Sequence, residues 1–404
     1  MSRIVLGVAG GIAAYKSCQL LRLFAEAGQD VTVVPTQNAL KFVGRATWEA
    51  LSGKPVAPDV WEHTWAVPHV SIGREVELVV IAPATADLLA RAAMGRADDL
   101  LTNVLLTATC PVVMAPAMHT EMWNNAATQA NVATLRSRGI VVIEPAVGRL
   151  TGPDSGPGRL PEPEEIQSIA LTVLRSPAAA QALAARDLVG KKVVVSAGGT
   201  HEALDPVRFL GNSSSGKMGV AIARQARQRG AAVRLVAANL QVPAPSGVQV
   251  VPVVSTGELA NAMSKHSDDA DIVIMAAAPA DFTPVEPSQT KLKKSGKAGL
   301  TLELKQTTDV LAQLAETAPT GQVVVGFAAE TAASRDDLLD LGRAKLARKG
   351  CQLLVLNDVT AGAVFGEDSN DVLIIGASGE PIAAQGSKDL VANAILDAAA
   401  RLTS

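Results

Sequence analysis

The residues best suited to hold a phosphate group lie in a glycine-rich segment in the second half of the 404-residue chain. Gly211-Asn-Ser-Ser-Ser-Gly216-Lys217 fits the pattern G-x-x-x-x-G-K, and a predicted helix begins at its lysine. A helix N-terminus presents free N–H groups and a positive dipole, which together favour an anion. Met218 stands where a P-loop NTPase has the Ser or Thr that holds Mg²⁺. We therefore expect an anion-binding helix start rather than an NTPase loop, with a serine-rich helix cap as the alternative.

A second glycine segment, Gly7-Val8-Ala9-Gly10-Gly11, follows the first predicted strand. It does not match G-x-G-x-x-G, and the next strand ends in Pro35-Thr36 rather than in the acidic residue that binds a ribose in dinucleotide sites. A hydroxyl at that strand end suits the phosphate of a mononucleotide. The segment therefore favours a mononucleotide such as FMN over NAD, with an ordinary tight turn as the alternative.

Histidines and lysines supply further candidates for chemistry. No two of the five histidines stand four residues apart, so a helical metal site has no support. His69 precedes a predicted strand and His119 follows another, although a lone histidine is more often structural than catalytic. The lysines of KLKK, which begins at Lys291, follow a strand end that carries a carboxylate, and an ammonium there suits a triphosphate. Lys345 and Lys349 lie four residues apart on a predicted helix and add to the same field.

The composition excludes several classes of protein. Lysine and arginine number 36 against 39 aspartates and glutamates, so the net charge of −3 provides no basic field for nucleic acid. No apolar run approaches the roughly 18 residues of a membrane helix, and the N-terminus lacks a signal-peptide core. Three distant cysteines, Cys18, Cys110 and Cys351, disfavour a disulfide framework and a zinc cluster. We expect a cytoplasmic protein without nucleic-acid or membrane partners.

Short apolar runs alternate with helical stretches along the chain. Because these runs are continuous rather than alternating, they predict parallel strands that are buried on both faces. The predicted strands are 4–9, 31–34, 78–82, 112–115 and 141–143 in the first half, and 193–197, 233–237, 272–276, 323–325 and 353–356 in the second. The pattern indicates an α/β protein with two tandem doubly wound domains, Rossmann-like or flavodoxin-like, and mostly parallel sheets.

Two segments interrupt this alternation. Residues 148–163 are rich in glycine and proline without apolar periodicity, which predicts a loop that acts as a flap. Residues 176–187 are low in complexity and are interpreted as the linker between a domain at 1–175 and a domain at 188–404.

Motifs from both halves together resemble one family. GGIAAYK, PHVSI, APATADLLAR, ADDLL, APAM and GPGRL are similar to flavin-dependent phosphopantothenoylcysteine decarboxylases. LDPVRFLGNSSSGKMG, AAAPADF, KLKK, GFAAET and LNDV are similar to phosphopantothenate–cysteine ligases. Many bacteria fuse the two, in this order, as one bifunctional protein of coenzyme A biosynthesis. Because the motifs span nearly the whole chain in that order, the chain is identified as a member of this family.

For the second domain, the resemblance implies CTP-dependent ligation of cysteine to 4′-phosphopantothenate. CTP would activate the carboxylate as an acyl-cytidylate, and the amine of cysteine would then displace CMP. Asn212 would act on the acyl-cytidylate, Lys291 would contact the CTP phosphates, and Mg²⁺ would bridge phosphates, with any protein ligands of the metal unknown. The residues implied for the nucleotide pocket are Met275, Ala276, Ala277, Asp281, Lys291, Thr308, Asp309, Val310, Leu311, Phe327, Lys345 and Lys349.

For the first domain, the resemblance implies FMN-dependent decarboxylation of phosphopantothenoylcysteine to 4′-phosphopantetheine. A carboxylate on saturated carbon has no electron sink, and hydride transfer to FMN from the carbon that bears sulfur would create one. His69 matches the essential histidine of the family. The residues implied to contact FMN are Gly10, Gly11, Ile12, Thr36, Ala84, Thr85, Met114 and Ala115.

The chain departs from the family pattern at two places. His119 replaces the asparagine of PAMN, which orients the substrate carboxylate, and an imidazole can still donate a hydrogen bond there. The family's flap cysteine, the proton donor of the last step, has Gly152 at its position. Thr151, Asp154, Ser155 or a water molecule are the candidates to replace it.

The resemblance also implies an assembly, since decarboxylase domains of this family trimerise and ligase domains dimerise. Together these contacts would build a homo-oligomer as large as a dodecamer. Two alternatives stay open: a ligase whose degenerate flavoprotein domain only assembles the complex, and a flavin-binding regulatory subunit of the kind that inhibits phosphatases. The ligase motifs and His69 argue against the regulatory subunit.

Overall fold

The computed structural model describes residues 1–56, 68–150, 155–293, 300–358 and 368–403. The chain divides into two compact units, Met1–Asp187 and Leu188–Ser404, and each unit has its own sheet and its own core. Within these described ranges, no helix combines the length and the apolar character needed to cross a membrane.

The first unit alternates strands and helices. Its strands are β1 (Arg3–Val8), β2 (Asp30–Pro35), β3 (Leu78–Ala84), β4 (Val112–Pro116), β5 (Val141–Val142), β6 (Ala146–Arg149) and β7 (Ser155–Arg159). Its helices are α1 (Lys16–Glu26), α2 (Arg45–Ser52), α3 (Pro68–Glu75), α4 (Ala86–Met94), α5 (Leu100–Thr107), α6 (Thr120–Asn124), α7 (Ala126–Ser137), α8 (Pro163–Arg175) and α9 (Pro177–Ala185). Short 3₁₀ helices span Ile12–Tyr15 and Ala39–Lys41.

The sheet of the first unit confirms the predicted doubly wound fold. Among the described residues its strands are all parallel, in the order β2-β1-β3-β4-β5. This is the flavodoxin-like order, in which a mononucleotide binds at the reversal between β1 and β3. Helices cover both faces, with Phe24 and Trp48 buried on one side and Leu88 and Leu101 on the other. Double coverage explains why the strands are continuous apolar runs.

Two predictions for the first unit differ from the structure. Residues 177–185, expected within a linker, form α9, which packs against α7 and α8 and buries Leu183. The same alanine-rich composition that suggested low complexity also favours a helix, because alanine has the highest helix propensity. Ser176 caps this helix, since its hydroxyl accepts from the Ala179 N–H. Part of the expected loop at 148–163 is the antiparallel hairpin of β6 and β7, while 151–154 lie outside the described residues.

The second unit is built in the same way. Its strands are β8 (Lys192–Gly198), β9 (His201–Ala203), β10 (Phe209–Gly211), β11 (Ala232–Ala238), β12 (Gln249–Val253), β13 (Ile272–Met275), β14 (Phe282–Pro284), β15 (Leu304–Gln306), β16 (Val323–Glu330), β17 (Leu353–Asp358), β18 (Ser369–Gly376) and β19 (Ile382–Ser387). Its helices are α10 (Lys217–Gln228), α11 (Thr256–Ser267), α12 (Val310–Thr317), α13 (Arg335–Lys349) and α14 (Lys388–Ala400).

The second sheet has the order β12-β11-β8-β13-β16-β17-β18-β19 among the described residues. The strands from β12 to β17 are parallel and follow the Rossmann order, with the reversal between β8 and β13. Strands β18 and β19 extend the sheet in antiparallel fashion, and the small hairpins β9–β10 and β14–β15 lie apart from it. None of these antiparallel elements was predicted. Strands β9, β10, β14, β15 and β19 lack a continuous apolar run, whereas the run VLII in β18 was overlooked.

Helices α10 and α14 form one layer of the second unit and are joined by buried ion pairs. The Arg224 guanidinium binds both carboxylate oxygens of Asp389 at 2.8–3.0 Å, and Gln225 Nε2 donates to the same group at 2.7 Å. Farther along, Arg229, which is 1 % exposed, pairs with Asp397 at 2.7 Å. The two helices therefore run parallel, and their N-termini face the same edge of the sheet.

We predict that Asp389→Ala destabilises the second unit by about 3 kcal/mol, because removal of one partner leaves a largely buried guanidinium uncompensated. The loss is measured as the change in the free energy of unfolding, from urea denaturation curves of the transition in which residues 188–404 unfold. Asp340→Ala is the control, since Asp340 pairs with Arg343 on an exposed helix face at 3.8 Å and should change little. Equal effects of the two substitutions would contradict the assignment.

Candidate active sites of the two units

In the first unit, the ends of three neighbouring strands are hydrogen-bonded to one another. The Ala9 N–H donates to the Pro83 carbonyl at 3.1 Å, and the Thr36 N–H donates to the Val8 carbonyl at 2.9 Å. These bonds bring the loops after β1, β2 and β3 to one edge of the sheet. That edge is the reversal point of the strand order, where ligands bind in open α/β sheets.

Gly10 is required at this edge by close backbone approach. A Cβ atom built there would lie 2.4 Å from the Asn38 Cβ and 2.8 Å from the Asn38 carbonyl carbon. At Gly11 the nearest atom to such a Cβ, Thr85 Cγ2, is 3.5 Å away, which is an ordinary van der Waals contact. Packing therefore explains the glycine at position 10, whereas a Cβ at position 11 would fit without a clash.

All eight residues predicted to contact FMN lie at or near the carboxyl ends of β1–β4. Thr36 is buried, and its Oγ1 accepts from the Ala39 N–H at 3.2 Å. Thr85 begins α4, where its hydroxyl accepts from the Leu88 N–H at 3.3 Å. Ile12 begins the 3₁₀ helix after Gly11 and is exposed, and the remaining members of the set, Ala84, Met114 and Ala115, are buried in β3 and β4.

The hairpin of β6 and β7 is attached to the segment that carries His119. The Met118 N–H donates to the Gly158 carbonyl at 2.9 Å, and a Cβ at Gly158 would lie 2.3 Å from the Met118 carbonyl oxygen. Gly158 also has φ +141°, so both its backbone conformation and the lack of space for a Cβ require glycine there. His119 itself is exposed and begins α6. The structure therefore places His119 where the flap hairpin meets the sheet edge.

The remaining predicted residues of the first unit are described only in part. His69 lies in α3 by its backbone, but its side chain is outside the described part of the molecule. Thr151, Gly152 and Asp154 also lie outside the described residues, whereas Ser155 is exposed at the start of β7. The roles assigned to His69 and Thr151 stay predictions.

The edge of the first sheet fits a mononucleotide cofactor. The first turn of the 3₁₀ helix after Gly11 can offer N–H groups to a phosphate, and the Thr36 and Thr85 hydroxyls lie at adjacent strand ends.

In the second unit, a cavity of about 1100 Å³ opens at the carboxyl edge of the sheet, at the reversal between β8 and β13. It collects residues from segments far apart in sequence. The predicted residues that line it are Asn212, Met275, Ala276, Ala277, Asp281, Thr308, Asp309, Val310, Leu311, Phe327, Lys345 and Lys349. Every residue of the predicted nucleotide pocket except Lys291 therefore lies in one cavity.

The GNSSSGK segment forms one wall of this cavity. Asn212 Nδ2 donates to the Pro279 carbonyl at 2.9 Å, and a Cβ at Gly199 would lie 2.6 Å from the Asn212 carbonyl oxygen. The N-cap of helix α10 is Gly216, which has φ +82° and provides no side-chain hydrogen bond, so the serine-cap alternative is wrong. Ser213, Ser214 and Ser215 line the cavity instead.

A buried network of hydroxyl groups holds the AAAPAD segment in place. Thr200 Oγ1 accepts from the Ala280 N–H at 2.8 Å and contacts Thr256 Oγ1 at 2.9 Å. Thr307 Oγ1 donates to the Ala280 carbonyl at 2.7 Å, and Glu202 accepts from the Thr256 N–H at 2.8 Å. Sequence reasoning missed these residues, because isolated threonines carry no motif. They fix the backbone between Pro279 and Asp281.

Two of the predicted lysines are paired with carboxylates in the cavity. Lys345 Nζ lies 2.7 Å from Glu330, and Lys349 binds Asp309. Burial opposes ionisation of Asp309, but hydrogen bonds from Lys349 and from the Ala312 N–H lower the pKa of this carboxyl below its ordinary value. Both lysines are consequently oriented before any ligand arrives.

Lys291 is exposed and is not among the residues that line the cavity. The next residue along, Leu292, is held on both sides: its N–H donates to Asp205 at 3.1 Å and its carbonyl accepts from Arg208 at 3.2 Å. Burial opposes ionisation of Asp205, yet bonds from the N–H groups of Val207, Leu292 and Arg208 lower its pKa. Residues 294–299, later in the same loop, lie outside the described residues. Contact between Lys291 and a phosphate group stays a prediction.

Lys217 of the predicted anion-binding helix start also lines the cavity, together with three residues that were given no role, Asn357, Asn370 and Lys388. Asn357 lies in the LNDV motif, and its Oδ1 is buried without a hydrogen-bond partner in the described structure. Among the described residues, no group of three or more His, Cys, Asp or Glu side chains is arranged to hold a metal ion.

Comparison with known proteins finds a family match for each of the two units. Residues 1–175 match the family model described as flavoprotein, and residues 188–402 match the C-terminal domain model of DNA/pantothenate metabolism flavoproteins. Over 403 residues the chain is 54 % identical to the coenzyme A biosynthesis bifunctional protein CoaBC of Mycobacterium tuberculosis, with 98 % of this chain and 96 % of that protein covered. The chain belongs to the family of bifunctional coenzyme A biosynthesis proteins.

More distant relatives agree with this family assignment. CoaBC of Bacillus subtilis is 42 % identical over 375 residues, which cover 92 % of this chain and 89 % of that protein. Among solved structures, the C-terminal domain of a CoaBC protein matches with 34 % identity and a TM-score of 0.45, covering 54 % of this chain and 97 % of that one. The sequence identities to the two full-length relatives confirm the family resemblance read from the motifs.

We predict that Gly10→Ala reduces bound flavin to a small fraction of the wild-type content, because the added methyl group would displace the Asn38 backbone at the sheet edge. Gly44→Ala is the matched control: Gly44 has φ −67°, and a Cβ added there would have no atom within 4 Å, so flavin should be retained. Flavin absorbance per purified chain measures both. Full flavin content in Gly10→Ala would contradict the packing argument.

Proposed function

We propose that the chain catalyses two consecutive reactions of coenzyme A biosynthesis, ligation of cysteine to 4′-phosphopantothenate and decarboxylation of the product to 4′-phosphopantetheine. The observation that carries the proposal is the convergence of Asn212 and the predicted nucleotide residues in one cavity of the second unit. The edge of the first sheet, which fits a mononucleotide cofactor, supports the decarboxylation. The direct test is incubation with 4′-phosphopantothenate, cysteine and CTP, with every product identified by mass.

In the ligase unit, the proposed first step joins the carboxylate of 4′-phosphopantothenate to the α-phosphate of CTP and releases pyrophosphate. Negative charge builds on the departing phosphates, where cations and helix N–H groups are most effective. The α10 N-terminus and the lysines that line the cavity would stabilise this charge. Mg²⁺ suits the same step, since it prefers phosphate oxygens and water to an all-protein cage.

Asn212 is suited to hold the acyl-cytidylate for attack by the cysteine amine. Its amide already donates to the Pro279 carbonyl, so the side chain is oriented along the AAAPAD wall. The second step forms the amide bond and releases CMP. Asn212→Asp would place a negative charge against that carbonyl and against the phosphate, which should disturb acyl-cytidylate turnover more than CTP binding.

In the decarboxylase unit, Gly11, Thr36 and Thr85 would hold the FMN phosphate. Bound FMN would accept hydride from the carbon that bears sulfur and return it after CO₂ is lost. His69 would act beside the reacting thiol, and His119 would donate a hydrogen bond to the substrate carboxylate in place of the family's asparagine. The final proton must come from a group other than the flap cysteine, with Thr151 or a water molecule held by it as the candidate.

The alternative is a ligase whose flavoprotein unit only assembles the complex. The absence of a cysteine at position 152 is the observation that favours it. Release of CO₂ from phosphopantothenoylcysteine by the flavin-loaded protein separates the two. We also propose a homo-oligomer as large as a dodecamer, and mass measurement in solution tests this independently of activity.

We predict that Lys291→Ala lowers CTP-dependent pyrophosphate release by about 10²–10³, the usual effect of losing one preorganised charge contact in a transition state. Lys293→Ala is the matched control, since Lys293 is an exposed lysine of the same loop without an assigned role. The rates of the two variants are compared at saturating substrates. Turnover of Lys291→Ala within a few-fold of the control would refute the role given to Lys291.

We predict that His69→Ala and His69→Asn abolish CO₂ release while flavin remains bound, because the reacting thiol loses its partner. The wild-type protein should still form 4′-phosphopantetheine, since a poor proton donor slows the last step by about 10²–10⁴ at most. Thr151→Val should raise the fraction of oxidised enethiol product if Thr151 delivers or holds the proton source. Wild-type protein that yields only the oxidised product would show that the last step is missing.

A further inference from the structure

Lys388 is a lysine of the ligase cavity that no motif of the family resemblance contains. It follows β19 as the first residue of α14, lines the cavity, and is 8 % exposed. Its ammonium lies 2.5 Å from Asn370 Oδ1 and 3.4 Å from the Ser369 carbonyl oxygen. The side chain is therefore held in one position on the cavity wall.

Lys388 lies on the same side of the cavity as the anion-binding start of α10. Lys388 and Lys217 are the first residues of the parallel helices α14 and α10, which pack side by side on one face of the sheet. Asn370, which holds Lys388, also donates to Met218 Sδ at 3.7 Å, one residue after Lys217. Lys388 thus belongs to the same wall as the GNSSSGK segment.

The other cationic side chains reach the cavity from the opposite face of the sheet. Lys345 and Lys349 lie on α13, whose buried residues pack in the core shared with α11 and α12. The residues Thr308–Leu311 join that same side at the start of α12. A ligand that spans the cavity from this side to the other would place its far end against Lys388.

The chemistry of the Lys388 wall is that of a phosphate site. An ammonium is costly to bury, and a fold tolerates it where an anion or a ring of oxygen atoms compensates. On this wall the ammonium is combined with the N–H groups at the start of α10 and with the serines at 213–215. Fixed donors of this kind favour tetrahedral oxyanions.

We propose that Lys388 binds a phosphate group of a phosphorylated substrate in the ligase cavity, with Asn370 as its positioning residue. The proposal rests on the proposed function, in which CTP and 4′-phosphopantothenate both carry phosphate. Either the polyphosphate of CTP or the single phosphate of 4′-phosphopantothenate supplies this chemistry. The contact fixes the end of the substrate that lies away from α13.

The test uses the full-length protein and the pyrophosphate-release reaction, with KM measured separately for CTP and for 4′-phosphopantothenate. Lys388→Met, which keeps length and removes charge, should raise one of the two KM values about 10- to 100-fold, as expected for loss of a hydrogen bond to a charged group. Lys388→Arg should restore most of the loss. A raised KM for CTP assigns the polyphosphate, and a raised KM for 4′-phosphopantothenate assigns its phosphate.

Lys191→Met provides the matched control. Lys191 precedes β8 at the opposite edge of the sheet, and its ammonium bonds the Thr403 carbonyl at 3.1 Å, so both KM values should stay unchanged. Should Lys388→Met prove too slow for KM measurement, titration of CTP and of 4′-phosphopantothenate by calorimetry replaces it. Folded Lys388→Met that uses or binds both substrates as wild type does would overturn the proposal. Failure of the wild-type protein to release pyrophosphate would refute the proposed function instead.

Discussion

The reversal of strand order in a parallel sheet is the constraint on which both sites depend. Connections on the two sides of the reversal leave in opposite directions, so no helix covers the strand ends between them. In the first unit the reversal lies between β1 and β3, and in the second between β8 and β13. Backbone hydrogen bonds join the strand ends at each reversal, such as the bond from the Ala278 N–H to the Gly198 carbonyl. Residues remote in sequence reach one place because the sheet brings them there.

Close backbone approach then decides which residue types can stand at these edges. At Gly198 a Cβ would lie 1.8 Å from the Ala238 carbonyl oxygen, and at Gly10 it would meet Asn38. Side chains are excluded where loops cross, so N–H groups and the short hydroxyls of threonine and serine become the main polar groups at the edge. This surface suits phosphate, which accepts from many small donors at once. The lysines Lys345 and Lys388 enter the cavity from helices.

The apolar runs predicted the parallel architecture, whereas the family resemblance implied the residues of the second site, and the fold explains why those residues meet. Buried parallel strands are continuous apolar runs, and the residues after them must lie at one edge, as Phe327 and Asp281 do. What escaped prediction depends on contacts without local pattern. Helix α9 was hidden in an alanine-rich stretch, β19 has mixed polarity, and the pairing of Thr200 with Thr256 joins residues 56 positions apart. Lys388 was missed because only the strand order of the sheet places it beside the glycine loop.

Charge in the ligase cavity is balanced before any substrate enters. Lys345 is paired with Glu330, Lys349 with Asp309, and Lys217 with Asp368. An ammonium that is already paired offers less net attraction to a polyphosphate, but its side chain has lost its rotational freedom in advance. A ligand that displaces a carboxylate must therefore match the geometry that the carboxylate occupied. Selectivity in such a cavity follows from the placement of donors rather than from an excess of positive charge, which agrees with a chain whose net charge is −3.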